Sequence, residues 1–109
     1  MLFAVGELDG REMATMVFTL GQLGLSKAAL PDETAAQLLD RVGAISSNFS
    51  SQAFANTLHG LARIGFEWSD IPQSVAEVFL KCGTALTPSM RHDELCSLFQ
   101  SMALMKVRA

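Results

Sequence analysis

Four polar side chains, Gln52, Asn56, His59 and Arg63, follow one another at steps of four, three and four. That spacing puts all four on one face of a helix. Amide side chains carry both donors and acceptors, which suits the edges of nucleic-acid bases, and a guanidinium suits a phosphate or the flat face of a base. Any amphipathic surface helix must also turn a polar face to water, so one stripe does not by itself separate a reading surface from a wetted one. The apolar residues of the same segment, Phe54, Leu58, Leu61 and Ile64, recur at helical spacing on another side.

Other reactive residue types are scattered. Cys82, His92 and Cys96 have an irregular gap and no evident fourth ligand, so no metal is expected; Cys96 also falls on the small packing position held elsewhere by Ala14 and Ala55. His59 and His92 form no recognisable nucleophile and base motif with the acids, which predicts a protein that is not an enzyme and takes no cofactor and no small-molecule substrate. Two cysteines are too few for a disulfide framework and suit a reducing compartment, where the sequon at Asn48 goes unused. Trp68, in "FEWSDIP", could stack a base but is expected to cover the mouth of a helical hairpin, with Asp70 beside it capping the next helix. Met13, Met16, Met102 and Met105 read as core.

The elements that must carry the stripe are repeated. Setting Leu8 against Phe49, and Phe49 against Met90, aligns "LDGREMATMVFTLGQLGL" with "FSSQAFANTLHGLARIGF", and that with "MRHDELCSLFQSMALMKV". Ala14/Ala55, Leu20/Leu61, Gly24/Gly65, Pro31/Pro72, Ala35/Ala76, Leu39/Leu80 and Ala44/Ala85 are identical pairs, and no gap is needed. Each copy predicts two helices. The first starts at an N-cap, Asp9 or Ser50, with Glu12 completing a capping box and an apolar staple of Leu8 with Met13, Phe49 with Phe54 or Met90 with Leu95. It ends at a left-handed Gly24 or Gly65, for which the third copy has Lys106, just as Arg91 replaces its cap. The second helix starts with Pro31 or Pro72 in its first turn and runs to about Ala44 or Ala85, burying Ala35, Leu38, Leu39 and Val42.

The expected fold is therefore all-α, an α-solenoid of stacked helical hairpins with a period of about 41 residues. One segment, 1–109, holds repeats at about 8–48 and 49–89 and a partial copy at 90–109, as in a fragment of a longer array. The partial copy leaves Leu95, Leu98, Phe99 and Met102 for a further helix to cover. Across the copies the stripe reads Arg11, Thr15, Phe18, Gln22; then Gln52, Asn56, His59, Arg63; then Asp93, Ser97, Gln100, Leu104.

The chain has eight basic and eleven acidic residues, and its net charge of −3 provides no long-range pull on nucleic acid. Half of its 109 residues are apolar, enough for a core, yet no stretch approaches a membrane span and the start does not read as a secretory signal.

At "FSSQAFANTLHGLARIGF" the sequence resembles the octotricopeptide-repeat family, through Gln52, "FANTL" at Phe54 to Leu58 and "GLARIG" at Gly60 to Gly65. The first copy keeps "TLGQLG", and the proline-led second helices also suit the family, whereas the repeat length, set by the Gly24 to Gly65 separation, is nearer armadillo or HEAT lengths. The resemblance, like that to heptatricopeptide and FAST-kinase-like repeats, implies an organellar RNA-binding factor in chloroplast or mitochondrial transcript stability, processing or translation. Single-stranded RNA is the partner it implies. The residues expected to bind it are Arg11, Thr15, Phe18, Gln22, Gln52, Asn56, His59, Arg63, Ser97 and Gln100. The acidic balance and the repeat length suit a rival expectation, a protein-protein interaction scaffold of armadillo or HEAT type.

Overall fold

The computed structural model describes residues 9–46 and 49–106. Over these residues the chain is all-α: α1 (Gly10–Gln22), α2 (Asp32–Ile45), α3 (Ser51–Ile64), α4 (Gln73–Leu86) and α5 (His92–Leu104), with 3-10 turns at Lys27–Ala29, Trp68–Asp70 and Thr87–Ser89 and no strand. None of these helices is long and apolar enough to cross a membrane.

Local chemistry explains the helix starts. Asp9 accepts from the Glu12 N–H at 2.8 Å and Glu12 accepts from the Asp9 N–H at 3.1 Å, the reciprocal box that satisfies two backbone donors of α1. Ser50 accepts from the Ala53 N–H at 3.1 Å to start α3. At α5 the arginine offers no acceptor, and the start depends on Glu94, which accepts from the Arg91 N–H at 2.9 Å. Pro31 and Pro72 sit one residue ahead of α2 and α4 as N-caps and not inside the first turn; their side chains leave these starts without a cap bond. Asp70 does not cap α4 as its position suggested. It accepts instead from the Glu67 N–H and from Lys27 Nζ, both at 2.8 Å, closing its own turn and tying it to the preceding one.

Helix ends follow the glycine expectation and extend it. Gly24 and Gly65 have φ of 84° and 110°, and Leu25 and Phe66 donate back to Leu20 and Leu61 at 3.1 Å. Lys106 takes the same left-handed region with φ 59° despite its side chain.

α3 lies between α1 and α5, and α4 packs on α2 beside that row. Buried Met13, Val17, Leu38, Val42, Phe54, Leu58, Leu61, Phe79 and Met105 form the centre of the core. Leu38, Leu39 and Val42 are buried as expected on α2, and Ala35 is half-buried. Phe49 and Phe54 are both buried; the Leu8 half of the first staple, like Asn48, lies outside the described residues. Two expectations are corrected. Ala14 and Ala55 are buried, but Cys96 is exposed, because its face of α5 meets no following helix among the described residues. Leu98 is 5% exposed because it is part of the core on α5, whereas Phe99, its neighbour, is 63% exposed.

Candidate nucleic-acid interface

The polar stripes of α1 and α3 become neighbours through two glycines. A Cβ built on Gly60 would stand 2.5 Å from the Val17 carbonyl oxygen, and one on Gly21 would stand 3.1 Å from the Gly60 carbonyl oxygen. No side chain fits at Gly60 without separating the helices. Gly60 therefore sets how closely α1 and α3 approach, although glycine inside a helix costs roughly 0.5–1 kcal/mol relative to alanine. Sequence reading noticed Gly60 as part of a motif and missed this role; the signal available was a glycine in mid-helix with no turn to serve.

With the helices this close, the stripe positions pair across the crossing. Arg11 and Thr15 of α1 and Gln52 and Asn56 of α3 line a polar concavity of about 520 Å3, completed by Ser50, Ala14 and Ala53. One turn further on, the rings of Phe18 and His59 stack with centroids 5.4 Å apart and planes tilted by 31°. Beyond them Arg63 lies beside Gly21, with its Cβ 3.2 Å from where a Gly21 Cβ would be. Gln22 is exposed at that end. On α5, Ser97 is half-buried and Gln100 exposed, while the outer positions hold Asp93, paired with Arg91 at 3.3 Å, and Leu104, 61% exposed. The continuous polar surface is thus built by α1 and α3, and α5 adds hydroxyl and amide groups flanked by residues poorly suited to a polyanion.

Electrostatics differ between the two sides of the molecule. Arg63 is the one formally charged residue of α3, and Arg11 accompanies Glu12 on α1, where the carboxylate is occupied by the Asp9 backbone. α2 carries Asp32, Glu33 and Asp40 against Arg41. Partial burial, and then the positive charge of Arg63, push the His59 pKa below its ordinary value. His59 is accordingly neutral at pH 7, a flat ring with one donor and one acceptor, stacked on Phe18.

Cys96 Sγ lies 3.6 Å from His92 Nε2 on α5, one helical turn apart. Cys82 is on α4, and among the described residues no three metal-ligating side chains gather. Trp68, in the connection between α3 and α4, is half-buried with its ring centroid 6.4 Å from that of Phe79.

No family model matches the chain, nor does any curated protein or solved structure.

Proposed function

We propose that this chain is a non-enzymatic module that binds single-stranded RNA along the stripe shared by α1 and α3. The observation that carries the reading is the pairing of stripe positions across the glycine crossing: a polar concavity bounded by Arg11, Thr15, Gln52 and Asn56, continued by the Phe18–His59 ring pair. Amides in the concavity would read base edges, the rings would stack an unpaired base, and Arg11 and Arg63 would meet phosphates.

The architecture proposed with it is a stack of helical hairpins with a period of about 41 residues. Three left-handed residues at that spacing, Gly24, Gly65 and Lys106, support it, as do 3-10 turns starting at Lys27 and Trp68. Service in chloroplast or mitochondrial transcript stability, processing or translation is the setting that the octotricopeptide resemblance implies. A protein-binding scaffold of armadillo or HEAT type is the second reading, favoured by the net charge of −3.

The test replaces Asn56, His59 and Arg63 together by Ala and measures binding of short single-stranded RNAs by titration NMR, which detects millimolar affinity. Loss of about 1–3 kcal/mol per base contact is expected with unchanged helicity, while changing Asp32, Glu33 and Gln37 on α2 leaves affinity intact. Equal affinity in wild type and stripe variant would defeat the RNA reading. A protein ligand lost with the same triple variant would give the surface to the scaffold.

A further inference from the structure

Leu80 and Phe99 are 54% and 63% exposed, yet their counterparts one repeat earlier, Leu39 and Leu58, are 4% and 5% exposed. Between these two exposed side chains lies a largely apolar cavity of about 200 Å3, walled by Trp68, Phe79, Met102 and Met105 as well. One hairpin earlier the corresponding site is filled. α4 lies along α2 there, and Val75 packs so closely on Gly43 that a Cβ on that glycine would stand 2.9 Å from Val75 Cγ2.

We propose that this groove docks an amphipathic helix of a partner protein, laid along α4 as α4 is laid along α2. The buried precedent defines the occupant's chemistry: helical, with apolar residues at the positions that Val75 and Cys82 hold on α4. It also sets a size limit. Thr84 stands where α2 has Gly43, and a valine already crowds the glycine, so the partner residue facing Thr84 must be small, an alanine or a glycine. A second copy of this chain is the poorer occupant. Its equivalent helix, α2, offers Thr34 and Arg41 at those two positions and would bring a guanidinium to an apolar wall. The inference rests on the hairpin-stack reading and is independent of RNA, since the groove shares no residue with the α1–α3 stripe.

Trp68, the single tryptophan of the chain, reports directly on the groove. The probe is a tryptophan-free peptide of residues 71–86, made with Val75→Ala and titrated into the intact chain. A saturable shift of Trp68 emission is expected, weakened at least tenfold when the chain carries Phe99→Glu or, independently, Leu80→Glu; both side chains are exposed, and helicity checks folding. The stripe variant should bind the peptide as wild type does. The proposal is overturned by emission unchanged at millimolar peptide or by affinity indifferent to both groove variants. It is equally overturned if sedimentation shows the groove closed by a second copy, or if single-stranded RNA shifts Trp68 and loses that effect with Phe99→Glu.

Discussion

Gly60 is the residue on which the proposed surface depends most. Gly60→Ala gains helix propensity, about 1 kcal/mol, but forces a methyl against the Val17 carbonyl, and overpacking typically costs about 1–3 kcal/mol. Net destabilisation is expected by urea titration, larger than for Gly21→Ala, and it should loosen the Phe18–His59 pair. His59 adds a pH dependence. Its folded pKa is lowered, so below about pH 6.5 the unfolded chain takes the proton first and the fold loses stability as pH falls toward the folded pKa. Melting temperatures at pH 7.5 and 5.5 should differ more for wild type than for His59→Gln, and no difference between the two would remove this contribution. Little of this was readable in sequence. The stripe spacing of α3 was, being local; the stacking of His59 on Phe18 was not, since it depends on how near one helix comes to another.

Helix ends show the opposite balance. Asp9 with Glu12, Ser50, Gly24 and Gly65 were legible because each acts on backbone groups within a few residues. Asp70 was misread because its partner, Lys27, is 43 residues away in the chain. The Lys27 hydrogen bond, and then the Glu67 N–H, hold the Asp70 carboxyl below its usual range, so this contribution is complete above about pH 4 and lost as pH falls through the lowered value. The pair is part-exposed, so solvent screening keeps its contribution small. Asp70→Asn should cost more than Lys27→Met, because it also weakens the acceptor of the Glu67 N–H. Lys106 makes the converse prediction. A non-glycine left-handed residue is strained by roughly 1–2 kcal/mol, whereas its ion pair with Glu67 at 3.3 Å is on the surface and worth about 0–1. Lys106→Gly should therefore raise the melting temperature; a fall would mean that the ion pair outweighs the backbone.

For the whole molecule, position in the row decides how far a local defect spreads. Leu61 is fully buried on α3, which touches helices on both sides, whereas Leu20, its counterpart on α1, is half-buried at one end. Leu61→Ala should cost about 2–5 kcal/mol and Leu20→Ala distinctly less; equal costs in urea would deny that α3 is the keystone. The all-α class was legible in the sequence, because helical periodicity and capping are written at every turn of the chain. Which outward faces carry apolar residues was only partly legible, as Leu98 and Phe99 demonstrate: adjacent in sequence, one is buried in the core and the other is turned to solvent. A backbone bond between neighbouring hairpins has a kinetic meaning. The Trp68 N–H donates to the Met105 carbonyl at 2.6 Å, linking the connection after α3 to the end of α5. An amide in a short turn ordinarily trades its proton with water quickly. This one can do so only when α5 lifts away, so its deuterium uptake would time the separation of neighbouring hairpins and not the fraying of either helix.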